Sequence, residues 1–194
     1  MQDKLSISAD MLDPPQRIAL AYAPKRVRPV WEALLLLEQR LADAARPGRD
    51  PIMIQFRLAW WRDRLAEPAG QRPKGEPLLA RLAAWDGQTA ALTALVNGWE
   101  AKIVGEDGGA ELARARTEAF VALGHLVGVG DTEAIRRAAQ GLADPASAKP
   151  APALPRAMRP LAVLRAMALR DARGGKPTPF ADIARVMWVG LLGR

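Results

Sequence analysis

Apolar residues return along this chain every three or four positions, the spacing that lines up one side of an α-helix. Val30, Leu34, Leu37, Leu41 and Ala44 form the first such series. Pro29 suits the opening turn of that helix, where a missing N–H costs little, and Pro47-Gly48 ends it. Asp50-Pro51 reads as an N-cap followed by a proline at the first helical position. The helix they start carries Ile54, Leu58, Trp61 and Leu65 on one face, and Pro68 and Gly70 stop it.

A polar, proline-rich link over residues 67–77 follows. Leu78, Leu82 and Trp85 predict a short helix broken at Asp86-Gly87, and Leu92, Leu95, Trp99 and Ile103 predict a longer one. Residues 105–109 are turn chemistry. Leu112, Ala115, Ala119, Leu123 and Leu126 mark a central helix, ended by Gly128 and Gly130. Asp131 is placed to cap the next, with Ile135, Ala138 and Leu142 on its face. Residues 144–159, with four prolines, predict an extended linker. Pro160 opens a helix with Leu161, Leu164 and Ala168; residues 174–179 are a loop, and Phe180, Ile183, Met187 and Leu191 form the last amphipathic helix. No stretch alternates as a strand does, and no repeat is visible. The expectation is a single all-α domain over residues 1–194, a bundle of about seven or eight helices with the linker before the two C-terminal ones.

Composition narrows the chemistry. A chain of 194 residues can bury its own core, and the absence of cysteine removes disulfides, thiolate chemistry and cysteine-ligated metals. The lone His125 excludes a multi-histidine metal site within one chain and reads as a packed or partly exposed structural residue. The net charge of +7 is compatible with an anionic partner, but the basic residues are scattered and no nucleic-acid module is recognisable, so no nucleic-acid binding is expected. The densest basic cluster, Lys25, Arg26 and Arg28, suggests at most a salt-sensitive peripheral membrane contact. Residues 1–13 carry three acids and no long apolar core, and apolar runs such as 33–37 are far too short to span a bilayer, so a cytoplasmic protein is expected.

The motifs that could carry catalysis are weak. Gly174-Gly175-Lys176 lacks the spaced glycine and the Ser/Thr of a phosphate loop and does not join a strand to a helix. Carboxylates four apart on a helix can share a Mg²⁺ ion, and Asp63/Glu67 and Asp107/Glu111 have that spacing. The first pair sits between arginines at a helix end and the second spans Gly108-Gly109, so both read as surface pairs.

One stretch is more specific. Arg17-Ile18-Ala19-Leu20-Ala21-Tyr22, then the apolar helix over 30–43, then Asp50-Pro51 and Ile54-Gln55-Phe56-Arg57-Leu58-Ala59-Trp60-Trp61-Arg62-Asp63 resemble the N-terminal third of squalene/phytoene synthase-like proteins. Those proteins carry an arginine–alanine–tyrosine opening, a helix, a proline and an RL-x-WWRD helix. The similarity is closest to the branch without full synthase motifs, which includes mitochondrial complex I assembly factors. Leu95-Val96-Asn97-Gly98-Trp99-Glu100 resembles that branch's next helix, and residues 138–144 are a fainter echo. The resemblance covers residues 17–64 and, more loosely, 78–144.

The resemblance implies a shortened isoprenoid-synthase-like helical bundle. Family synthases condense two prenyl diphosphates with Mg²⁺ held by two aspartate-rich helices. Here only Asp43 falls where a metal-binding aspartate is expected, Arg46 stands where a later acid would be, and the second motif is missing. A single carboxylate cannot organise a metal cluster around a diphosphate. The expectation is therefore a non-catalytic relative, without cofactor, acting as scaffold, assembly factor or lipid/prenyl binder toward a protein partner or a prenyl or lipid ligand. The alternative is a Mg²⁺-dependent prenyltransferase with a degenerate metal site. The resemblance places Tyr22, Arg40, Asp43, Arg57, Trp60 and Trp61 near the ancestral cavity. Core packing is the competing account for the tryptophans; periodicity gives Trp61 to the apolar face and leaves Trp60 and Arg57 outside it.

Overall fold

The computed structural model describes residues 11–105, 107–174 and 179–192. The fold is all-α: the described residues form nine α-helices and no strand. In order they are α1 (Pro14–Ala21), α2 (Arg28–Ala44), α3 (Pro51–Ala66), α4 (Pro77–Arg81), α5 (Thr89–Val104), α6 (Ala110–Leu126), α7 (Thr132–Ala143), α8 (Arg159–Ala172) and α9 (Pro179–Leu192). None of the described helices is long and apolar enough to cross a membrane.

Helix ends follow local chemistry. Asp50 caps α3 by accepting from the Ile52 N–H at 2.8 Å, with Pro51 behind it. Asp131 caps α7 by accepting from Ala134 N–H at 3.0 Å. Asp107 accepts from both Gly109 N–H and Glu111 N–H, at 2.8 and 2.7 Å, and so opens α6. These bonds satisfy donors that a helix start leaves without partners. They also hold the Asp107 carboxyl below its usual range, the Glu111 N–H contributing most. The Asp107/Glu111 spacing is thus a cap, not a metal pair. Helix α1, which periodicity did not predict, is started by Pro14 and Pro15 in its first turn.

The chain divides into two compact units, one of Met1–Leu12 and Pro29–Ala119, the other of Asp13–Arg28 and Phe120–Arg194. In the first, α2 is buried around much of its circumference, from Trp31 through Ala33–Leu37 to Leu41 and Ala44, rather than along one stripe. Helix α3 lies against α5 and buries Ile54, Leu58, Trp61 and Leu65, the series that the periodicity predicted. Gly98 lets α5 approach α6 closely: a Cβ there would meet the Leu112 Cα at 2.8 Å.

In the second unit α8 packs with α1, α7 and α9. Residues 144–158 are irregular, as their prolines require, apart from a short 3₁₀ turn at Arg156–Met158, and α8 begins at Arg159, inside the predicted linker. The stretch is not a free spacer, because Leu154, Ala157 and Met158 are buried. His125 is exposed near the end of α6. Met187 and Leu191, from the apolar series of α9, are exposed, while Val189 and Gly190 are buried among the positions of that helix whose side chains are described. The side chains of Phe180 and Ile183 and the Gly175-Lys176 pair lie outside the described residues.

Candidate functional site

A groove of about 530 Å³ opens in the first unit where the end of α2 and the following turn meet α3. It is lined by Arg40, Asp43, Arg46 and Arg49, by Phe56, Arg57, Trp60 and Trp61, and by Ala44 and Glu76. Helical spacing explains the gathering. Arg40, Asp43 and Ala44 recur at three and four along α2, as do Phe56, Trp60 and the neighbours Arg57 and Trp61 along α3.

The two tryptophans divide their work. Their rings meet edge to face, 5.0 Å between centroids at 83°. Trp61 is buried and Trp60 is partly exposed at the groove. Trp61 thus anchors α3 to the core and presents one edge to the groove, while Trp60 and Phe56 offer apolar surface to whatever enters.

The electrostatics favour an anion. Four arginines line the groove against two acids, Asp43 and Glu76. The Asp43 carboxylate already accepts from Arg46 at 2.7 Å, and the Glu76 carboxylate accepts from Leu78 N–H at the start of α4. The side chains of Arg40, Arg49 and Arg57 make no hydrogen bond or ion pair among the described residues. Three uncommitted guanidinium groups beside aromatic surface suit a ligand with an anionic head and an apolar body.

The walls are held by polar clasps. From α3, Arg62 donates to Asn97 Oδ1 at 2.9 Å and pairs with the Glu100 carboxylate on α5. The two most motif-like stretches of the sequence therefore meet each other. On α2, Glu38 receives two bonds from Arg116, at 3.0 and 3.1 Å, and one from Trp99 Nε1 at 3.2 Å. The Trp99 ring lies beneath Arg116 and Lys102, with centroid distances of 5.2 and 5.1 Å. Arg72, in the stretch read as a polar link, is buried and donates to Glu67 O and Asp86 Oδ1. No periodic signal marks it, since its partners belong to two separate turns.

Of the six residues singled out from the sequence, Arg40, Asp43, Arg57, Trp60 and Trp61 line this one groove. Tyr22 does not: it belongs to the second unit, where its half-buried ring packs on Ala19, Val163 and Met167 and covers Gly190. Its role there is to join α1 to α8 and α9. Arg46, Arg49 and Phe56 were missed, although Phe56 sits one turn before Trp60 and was legible as an apolar residue off the core face. Arg28, from the Lys25–Arg28 cluster, donates to the carbonyls of Ala21 and Ala23 at 3.5 and 3.4 Å and so serves the end of α1. Among the described residues no three acidic or histidine side chains converge on a point where a metal ion would sit.

Comparisons with protein-family models, with curated proteins and with solved structures find no significant match to this chain. The groove's own chemistry therefore carries the functional reading.

Proposed function

We propose that this chain is a divergent squalene/phytoene synthase-like protein with a shortened isoprenoid-synthase-type bundle, and that its groove binds an anionic lipid or prenyl compound without turning it over. Among the non-catalytic roles of scaffold, assembly factor and ligand carrier, the binding role has the most direct support. The observation that carries it is three uncommitted arginines, Arg40, Arg49 and Arg57, set beside Phe56 and Trp60 in one groove.

The guanidinium groups offer planar, permanently charged donors to phosphate or carboxylate oxygens. The aromatics and Ala44 offer apolar surface to a chain. The Asp43–Arg46 pair supports binding over catalysis: the one aspartate that matches a metal-binding position has an arginine beside it. The pair is exposed and individually weak, but a Mg²⁺ ion approaching Asp43 would meet the charge of that guanidinium.

Incubation with farnesyl diphosphate tests this reading. The ligand is expected to raise the melting temperature in EDTA, by several degrees at about one hundred times its Kd. No pyrophosphate is expected to be released when Mg²⁺ is added. Mg²⁺-dependent pyrophosphate release would instead establish the prenyltransferase alternative.

A further inference from the structure

Helix α3 has a second apolar face. Ile54, Leu58, Trp61 and Leu65 fill its core side, yet Ile52, Met53, Phe56 and Trp60 are 62, 51, 67 and 39% exposed. At 100° per residue these four span an arc of about 100° on the side away from the buried residues. Scattered exposed apolar residues are ordinary on a protein surface; four that form one continuous stripe on one helix are a docking feature.

The rim of the stripe says what it docks on. Arg49 precedes the helix and Arg57 flanks the stripe, and neither side chain is committed to an acid among the described residues. Asp50, at the N-terminal end, is occupied in capping its own helix. Asp63 lies on the same arc one turn beyond Trp60 and marks where the stripe stops. Large apolar and aromatic side chains at the centre, with arginines at the margin, reproduce the layering of an anionic bilayer surface. Apolar groups enter the acyl boundary, indole sits at headgroup depth, and guanidinium reaches phosphate.

We infer that this outward face of α3 seats the protein on an anionic membrane surface. Ile52 and Met53 do not line the groove, so the inference stands apart from the groove's ligand and can be tested separately. Docking through α3 would bring the groove's aromatic edge, Phe56 and Trp60, to the lipid.

The test is flotation of the purified full chain with vesicles of phosphatidylcholine alone or of phosphatidylcholine with phosphatidylglycerol. The wild type is expected to float with the anionic vesicles. The Ile52→Asp/Met53→Asp variant is expected to lose at least about tenfold of that binding, from the polarity of two residues that must enter the interface. Both positions are exposed, so its circular dichroism and melting temperature should match the wild type. The single Met53→Asp variant should show an intermediate loss.

A wild type that stays soluble with both vesicle types overturns the inference, as does a double variant that floats like the wild type. A wild-type dimer that the double variant converts to a monomer also overturns it, by assigning the stripe to a second copy of the chain. The farnesyl diphosphate shift should survive in the double variant, so loss of docking and failure of the groove reading give different results.

Discussion

In the first unit polar side chains reach from one helix to the next, whereas in the second three glycines let larger side chains settle closely. In the first, Arg62 spans α3 to α5, Glu38 gathers Trp99 and Arg116 onto α2, and Arg81 reaches Glu32 at 2.7 Å. In the second, Gly124 lies under Ile135, Gly141 under Arg165, and Gly190 under the Tyr22 ring. The ion pairs Arg137–Glu133 and Arg170–Asp171 there join neighbours along one helix. Directional bonds fix how helices are rotated, and close approach fixes how near they lie. The groove's two walls, α2 and α3, are each tied to α5 by such a bond, Glu38 to Trp99 and Arg62 to Asn97, as a site formed from two helix faces requires.

The sharpest break in this comparison comes from adding one methyl group in each unit. In Gly98→Ala the new Cβ meets backbone, the Leu112 Cα at 2.8 Å, which cannot rotate away. Even after alanine's better helix propensity, a net loss of about 2 kcal/mol is expected in urea unfolding. In Gly190→Ala the obstacle is the Tyr22 ring, which can swing, so a smaller loss of about 1 kcal/mol is expected. Pairing it with Tyr22→Ala should remove most of the added strain, which a double-mutant cycle measures. Equal losses at the two glycines would contradict the distinction between backbone and side-chain contact.

Glu38→Gln probes the clasps. It keeps an acceptor but removes the charge that two Arg116 bonds and Trp99 Nε1 share. Because Arg116 is partly exposed and can turn to water, the expected cost is about 1 kcal/mol in urea unfolding. A loss no larger than that from an ordinary surface glutamate would remove the clasp from the account.

The smallest effect is at the start of α6. The folded Asp107 carboxyl is held below its ordinary value by the N–H groups of Glu111 and Gly109. Its contribution is therefore fully present above the unfolded value, about pH 4, and is lost as pH falls through the lower folded value. Asp107→Asn keeps a capping oxygen but cannot titrate, so melting temperature followed from pH 6 to pH 2.5 should fall less steeply than in the wild type. An acid limb unchanged by the substitution would contradict this.

What the sequence could show follows from the range of each interaction. Local signals were legible: the α3 core series, the caps Asp50 and Asp131, and the all-helical class all rest on residues within a turn or two of each other. Tyr22 on Gly190 was not, because the two are brought together only by the packing of α1 and α9. Buried Arg72 and the outward Met187 and Leu191 depend in the same way on distant neighbours. Periodicity also assigns one apolar face per helix, and α3 has two, so Ile52, Met53 and Phe56 had no place in that scheme. Arg40, Asp43, Arg57, Trp60 and Trp61 line one groove because helical spacing sets them on facing sides of α2 and α3.

The central claim is that uncommitted arginines in that groove bind an anionic amphiphile without metal. Calorimetric titration of farnesyl diphosphate in EDTA into the wild type and into Arg40→Ala/Arg57→Ala tests it most directly. The account predicts saturable one-to-one binding to the wild type and at least about tenfold weaker binding to the variant, two charge-assisted contacts being lost. The variant's own melting temperature should be nearly unchanged, since neither guanidinium holds the fold together. Absence of binding in EDTA, or equal binding by the variant, would contradict it.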